Sequence, residues 1–229
     1  MKNLHRLFVL FFLIVFASHS FADSPYKSWS NLDRNIFAAS AIGGFTSLYL
    51  EHHLQPLTED HVGQLIAEQI NPIDRIATTF NSELAANWSD WGMRTCLLMP
   101  LALLADERVR NDGKTAALLY FETMALTGVL TELSKTTFQR VRPYAYNEET
   151  GMSAKLAKDT KKAFFSGHTS ASFAGAVLFA KLYSDYHPDS KWKPYVWAGS
   201  LTVSGLVGYW RIRAGRHFQT DVIAGALVG

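Results

Sequence analysis

The sequence predicts an all-α protein, and three of its features support this fold class. Apolar segments of helical length recur along the chain, glycine and proline lie between them, and no stretch alternates apolar and polar residues as a half-buried strand does. The segments are residues 36–50, 95–105, 116–133, 170–183, 195–210 and a last one that begins at Asp221. We therefore expect a bundle of about six core helices.

Turn-forming residues mark where these segments begin and end. Asn111-Asp112-Gly113 precedes the third segment, and Pro143 follows it. His187-Pro188 and Lys193-Pro194 lie between the fourth and fifth segments. This punctuation predicts separate helices joined by connections.

Residues 1–22 have the layout of a secretory signal. Lys2 and Arg6 form a positively charged start, residues 7–17 are apolar, and Ser20-Phe21-Ala22 is a small-x-small cleavage pattern. The apolar run is shorter than the ~20 residues that span a bilayer. We therefore predict a cleaved signal peptide, with an uncleaved N-terminal anchor as the alternative. Either way the rest of the chain starts outside the cytoplasm, and we expect the protein in the periplasm or at the periplasmic face of the envelope membrane.

Composition excludes several classes of function. Hydrophobic residues make up 48% of the 229 residues, which is enough for a sizeable core. Two of the 22 lysines and arginines lie in the leader, so 20 remain against 20 acidic residues. This balance argues against a nucleic-acid partner, which needs a basic face. The single cysteine, Cys96, excludes an intrachain disulfide and a zinc site built from several thiolates.

The first of three polar motifs is Lys135-x6-Arg142-Pro143. Lys135 and Arg142 are two helical turns apart, so we expect both side chains on one helix face. Two cations there suit a phosphate group, and Arg142 offers a planar fork to two oxygens. Pro143 is expected to end the helix. A solvated basic helix end would contain the same residues, so this motif alone leaves both interpretations open.

The second motif, Ser166-Gly167-His168, opens the fourth segment. Ser166 is predicted to cap the helix, whose free backbone N–H groups bind anions. Gly167 allows close backbone approach to a ligand, and His168 adds a titratable nitrogen at the same place. An ordinary capped helix with a surface histidine is the alternative.

The third motif is Arg211-x5-His217-x3-Asp221. His217 and Asp221 would be neighbours if this stretch is helical. A carboxylate bonded to one imidazole nitrogen fixes the tautomer and makes the other nitrogen a better nucleophile. Arg211 supplies a third cation for phosphate. Together the three motifs contain what a phosphate-ester hydrolase requires.

In this order and spacing, the motifs resemble the type 2 phosphatidic acid phosphatase superfamily. Its pattern is Lys-x6-Arg-Pro, then Pro-Ser-Gly-His, then Arg-x5-His-x3-Asp, and Phe165 is the one departure, since the family usually has proline there. The resemblance covers about residues 115–229, which we expect to form the catalytic core behind an N-terminal helical part, residues 23–114. Only residues 222–229 follow Asp221, so we expect the natural chain to continue.

The resemblance implies a two-step mechanism at helix ends on one face of the bundle. It implies that His217, oriented by Asp221, attacks phosphorus to form a phosphohistidine. His168 protonates the leaving group and then activates water. No metal or cofactor is implied, because five groups hold the phosphate oxygens: Lys135, Arg142, Ser166, Gly167 and Arg211.

The expected substrates are membrane lipid phosphates or diphosphates. A soluble periplasmic acid phosphatase that takes small phosphomonoesters is the nearest alternative, and a mean hydropathy of 0.00 favours it. A vanadium-dependent haloperoxidase, whose vanadate pocket is similar, is the alternative from another class.

Membrane association is also expected, from the distribution of charge. The connection of residues 51–91 carries only Arg75, whereas two later connections are basic and are predicted to share one face. With the leader as an anchor, or with no span at all, the catalytic face lies outside the cytoplasm. A span formed by residues 36–50 would reverse this.

Overall fold

Long helices make up most of the computed structural model, which describes residues 24–26 and 30–229. Within these residues, six helices have ten or more residues and no strand occurs, so the all-α prediction is confirmed. The six are α1 (Asn31–His53), α2 (Glu83–Ala102), α3 (Gly113–Phe138), α4 (Gly167–Tyr186), α5 (Lys193–Arg213) and α6 (Gln219–Val228).

Short helical turns fill the connections. The α-helical ones are Glu59–Gly63, Pro72–Arg75, Glu107–Asn111 and Met152–Lys155. The 3-10 turns are Ala67–Gln69, Ile76–Thr79, Leu103–Ala105, Pro143–Tyr146 and Lys158–Lys161. The predicted leader, residues 1–22, lies outside the described residues.

Helix α2 shows the largest difference from the prediction, because it begins at Glu83 and not at residue 95. Ser82 caps it, with its Oγ accepting a hydrogen bond from the amide of Ala85 at 3.2 Å. The expected connection of residues 51–91 therefore ends within a helix. Polar residues, among them Ser89 and Asp90, interrupt the apolar pattern of this first half and concealed it.

Helix α4 is the centre of the bundle and contacts α2, α3, α5 and α6, while α1 packs on α3. Small side chains allow the close approach of α2 and α4. A Cβ on Gly175 would lie only 2.4 Å from the carbonyl oxygen of Cys96, so no side chain fits at that crossing. An apolar cluster fills one end of the bundle and consists of Leu103, Val109, Ala116, Leu178, Leu182 and Tyr186.

The two basic connections, between α2 and α3 and between α4 and α5, meet at this same end, as predicted. Arg108 donates to the carbonyl oxygen of Tyr186 at 3.1 Å, and His187 lies 3.0 Å from Asp106. The three polar motifs lie at the other ends of these helices. One segment of the described chain, Gly113–Tyr146, which contains α3, is long and apolar enough to cross a membrane.

Candidate active site

The first motif enters the site from the end of α3. The helix ends at Phe138, and Gln139 adopts a left-handed conformation with φ of 47°. Arg142 therefore lies beyond the helix, and the prediction that Lys135 and Arg142 share one helix face is wrong. The helix ends four residues before Arg142, where the amide of left-handed Gln139 donates to the carbonyl oxygen of Lys135, and not at Pro143 as expected.

Arg142 nevertheless reaches the site, where its buried guanidinium is firmly held. Its Nε and one terminal nitrogen donate to Asp159 at 2.9 Å, and the other terminal nitrogen donates to the carbonyl oxygen of Arg216 at 3.2 Å. That second nitrogen also lies 3.4 Å from Nε2 of His217. A fixed cation thus faces the imidazole of the third motif.

The second motif forms the start of α4, as predicted. The Oγ of Ser166 accepts from the amide of Thr169 at 3.4 Å and from its hydroxyl at 2.8 Å, which confirms the cap. A Cβ on Gly167 would lie 3.1 Å from Nζ of Lys135, so the absent side chain lets this ammonium approach the helix start. Lys135 also forms an ion pair with Glu132 at 2.8 Å. The ammonium group of Lys135 and the N-terminus of α4 are therefore adjacent.

His168 is held by a carboxylate that the sequence analysis did not single out. Its Nε2 lies 2.8 Å from Oδ1 of Asp90 on α2, and the same oxygen lies 3.5 Å from Arg211. Burial, followed by the charge of Arg211, lowers the pKa of His168 to about 4, while the hydrogen bond to Asp90 acts in the opposite direction. The imidazole is therefore neutral at neutral pH.

Arg211 lies near the end of α5 and is buried. One terminal nitrogen donates to the hydroxyl of Ser89 at 3.1 Å, whereas the buried Nε has no hydrogen-bond partner among the described residues. Burial and the charge of Arg142 lower the pKa of Arg211 to about 9. A nearby anion would offset the repulsion between the two guanidinium groups.

Of the two histidines in the three motifs, His217 is the more deeply buried. Its Nδ1 lies 2.8 Å from the carbonyl oxygen of Ala163. A carbonyl oxygen can only accept, so Nδ1 carries the proton and Nε2 of the neutral ring keeps its lone pair. Burial first, then the charges of Arg142, Arg211 and Lys135, hold the pKa of His217 well below its usual value. The structure thus brings the three motifs together around one imidazole.

The expected hydrogen bond between Asp221 and His217 is not formed. Helix α6 begins at Gln219, so His217 precedes it and the helical i,i+4 relation does not apply. The carboxylate lies 3.8 Å from Nδ1, accepts from the amide of Phe218 at 2.9 Å and pairs with Arg140. The carbonyl oxygen of Ala163 fixes the tautomer instead, and Asp221 lies beside the ring without a hydrogen bond to it.

The sequence did not single out Arg140 and Asp74 either. Arg140 donates to Asp74 at 2.8 Å, and the side chain of Asp74 has no exposed surface. Asp74 lies in the short helix Pro72–Arg75, where a first-turn acid is normally a solvated residue. Their pairing brings the N-terminal half of the chain against the third motif.

Comparison with known families identifies this arrangement. The model of the PAP2 superfamily, the type 2 phosphatidic acid phosphatases, matches residues 116–229, which contain all three motifs. The chain belongs to the PAP2 superfamily. Among the described residues no group of three or more histidine, cysteine, aspartate or glutamate side chains could hold a metal ion.

Two curated proteins and one solved structure illustrate the similarity. "Probable diacylglycerol pyrophosphate phosphatase 1" of Schizosaccharomyces pombe is 30% identical over 58% of this PAP2 chain and 58% of its own length. "Lipid A 1-phosphatase" of Porphyromonas gingivalis is 37% identical over 46% of this chain and 20% of its own length. The crystal structure of a transmembrane PAP2-type phosphatidylglycerolphosphate phosphatase from Bacillus subtilis has 18% identity and a TM-score of 0.48, covering 99% of this chain and 90% of that one. The chain spans less than two thirds of each curated relative.

Proposed function

We propose that this PAP2 chain is a metal-independent phosphatase that hydrolyses phosphate or diphosphate esters of lipids through a phosphohistidine on His217. One observation carries the proposal. His217 has its Nδ1 fixed by the carbonyl oxygen of Ala163 at 2.8 Å, while its Nε2 faces Arg142 at 3.4 Å. A buried neutral imidazole with its lone pair beside a cation suits attack on a phosphate that the cation binds.

In the proposed first step, Nε2 of His217 attacks phosphorus, an N–P bond forms and the P–O bond to the leaving group breaks. His168 gives its proton to the leaving oxygen. Because Asp90 holds Nε2 of His168, we assign the transferred proton to Nδ1. A bound phosphate raises the pKa of His168 from about 4, since a nearby negative charge favours the imidazolium.

In the second step, neutral His168 accepts a proton from water as the water oxygen attacks phosphorus. The N–P bond breaks, its electron pair returns to Nε2 of His217, and phosphate leaves. The phosphorylated ring is positively charged, so Asp221 at 3.8 Å and the carbonyl of Ala163 stabilise it.

The phosphate oxygens are proposed to contact three cations and the start of α4. These groups are Lys135, Arg142, Arg211, the hydroxyl of Ser166 and the backbone N–H of Gly167. Three positive charges and a helix N-terminus stabilise charge that builds up in the transition state without a metal ion.

A lipid substrate and a membrane location are supported by the apolar surface of the protein and by the lipid phosphatase names of its relatives. Large apolar side chains are exposed on α1 and α2; Phe45 is 77% exposed and Trp91 is 63% exposed. Apolar surface of this kind marks contact with a membrane or a partner. We propose that the protein is exported and works at the periplasmic face of the envelope membrane.

The test is phosphate release from a phosphatidate, an isoprenyl diphosphate, a lipid A phosphate and p-nitrophenyl phosphate, all measured in EDTA. We expect release that resists EDTA and is lost in His217→Ala and His168→Ala, with folding of each variant checked by circular dichroism. Preference for p-nitrophenyl phosphate would favour the soluble acid phosphatase. No release from folded wild-type protein would overturn the proposal.

A further inference from the structure

A buried ion-pair network lies behind His217, outside the three motifs. The guanidinium of Arg140 lies between the carboxylates of Asp74 and Asp221, and neither carboxylate side chain has exposed surface. One terminal nitrogen donates to Asp74 at 2.8 Å, and the other contacts Asp221. The guanidinium also lies over the ring of Phe218, 4.2 Å from its centroid.

Asp74 also holds the start of α6. Its Oδ1 accepts from the amide of Thr220 at 2.9 Å, and its Oδ2 accepts from the hydroxyl of the same residue at 2.6 Å. The residue before the helix, Phe218, has no side-chain oxygen with which to cap it. A carboxylate 146 positions away in the chain therefore satisfies a first-turn amide of α6.

The network ends at the imidazole. Asp221 accepts from the amide of Phe218 through Oδ2, and this oxygen lies 3.8 Å from Nδ1 of His217. We infer that Asp74 and Arg140 are positioning residues: Asp74 fixes the start of α6, and Arg140 holds the carboxylate of Asp221 beside His217 in an ion pair. The inference rests on the proposed phosphohistidine function.

The charge of Asp221 matters because the phosphorylated ring of His217 is a cation. An ionised carboxylate at this distance stabilises it, and a protonated one does not. Burial raises the pKa of Asp221 to about 6, Arg140 opposes the rise, and Asp74 adds to it. Among the described residues, these two and His217 are the charged or titratable groups in contact with Asp221 or next to it. Arg140 and Asp74 therefore shift its ionisation in opposite directions.

Because the two residues act in opposite directions, the pH profiles of their variants distinguish this role from a general loss of structure. In Arg140→Met the acid limb of the kcat profile should move to higher pH, and in Asp74→Asn it should move to lower pH. At neutral pH we expect Arg140→Met to lower kcat by about tenfold to a hundredfold, the effect of losing one charge-assisted hydrogen bond. KM should change by less than about twofold, because Lys135 and Arg142 are intact. Arg140→Lys should restore part of kcat.

The matched control is Arg94→Met, whose guanidinium lies on the surface, 5.0 Å from the ring centroid of Trp91. It should leave kcat and its pH profile unchanged. Limbs that do not move, or that move in the same direction in both variants, would overturn the inference while the proposed phosphatase function stands.

Absence of phosphate release by the wild type would refute the proposed function, and unfolding would then test the positioning network separately. A group whose folded-state pKa is raised contributes stability at low pH that is lost as pH rises through that pKa. For Asp221 this window ends near pH 6. In Arg140→Met the pH at which the stability contributed by Asp221 is lost should be higher than in the wild type. In Asp74→Asn this pH should be lower. Identical pH dependence in all three proteins would contradict the network.

Discussion

Asp90→Asn tests whether the carboxylate beside His168 raises the pKa of this histidine, which we propose protonates the leaving group. The substitution keeps the shape of the side chain and removes its charge. The hydrogen bond to Asp90 at 2.8 Å and its negative charge raise the pKa of His168; the amide oxygen of Asn can still accept the hydrogen bond, but loss of the charge lowers this pKa below about 4. Asp90 is 42% exposed, so water screens its charge. We therefore take the loss of interaction energy at the low end of the range for a hydrogen bond to a charged group, about 1.4 kcal/mol, which lowers the pKa of His168 by about one unit.

The effect on rate follows from the fraction of His168 that carries a proton. With a pKa of about 4, about 1% of the free enzyme is protonated at about pH 6, and a drop of one unit reduces this to about 0.1%. The kcat/KM for an alkyl phosphate should therefore fall by about tenfold at this pH. The alkaline limb of the profile, which reports the free enzyme, should move to lower pH by about one unit.

The assay compares kcat/KM for butyl phosphate and p-nitrophenyl phosphate across the acid range. The nitrophenolate leaving group needs little protonation, so its hydrolysis should lose much less than that of the alkyl ester. Asp106→Asn is the control, because Asp106 forms a similar pair with His187, at 3.0 Å, at the far end of the bundle. An unmoved limb, or an equal loss for both substrates, would refute the reasoning.

Two further predictions concern packing and phosphate binding. Gly175→Ala should destabilise the fold by about 1–3 kcal/mol, since the new Cβ would meet the backbone of Cys96. The control is Gly199→Ala, whose Cβ would meet nothing within 4 Å and which should be neutral or stabilising. Thermal unfolding measures both variants, and equal unfolding midpoints would contradict the close packing of α2 and α4. Lys135→Met should raise the inhibition constant of inorganic phosphate by about tenfold, while Lys181→Met at the far end should not, and an unchanged constant would remove Lys135 from the phosphate site.

Local signals in the sequence were enough to predict the six helices and the cap on α4. Glycine and proline separate the apolar segments, and Ser166 immediately precedes a small-residue helix, so both features can be recognised within a few residues. The prediction that His168 and His217 share one site came from the resemblance of the three motifs to the superfamily pattern.

Features that depend on distant contacts could not be predicted in this way. Asp90 and His168 are 78 positions apart, and Arg140 and Asp74 are 66 positions apart. Nothing in the residues around Asp74 or Asp90 distinguishes a carboxylate that pairs with a residue of the site from one that faces only solvent. His217 and Asp221 are neighbours at 3.8 Å, but the expected hydrogen bond between them is absent, because their spacing was interpreted as helical whereas α6 begins only at Gln219.

The most direct measurement of the central claim is to trap the phosphorylated enzyme. Protein is mixed with p-nitrophenyl phosphate, quenched in alkali, in which phosphohistidine survives, and mapped by mass spectrometry. We predict a phosphate on His217 that accumulates in His168→Ala, since that variant lacks the base for the second step, and that is absent from His217→Ala. Phosphate on another residue, or turnover by folded His217→Ala, would contradict the account.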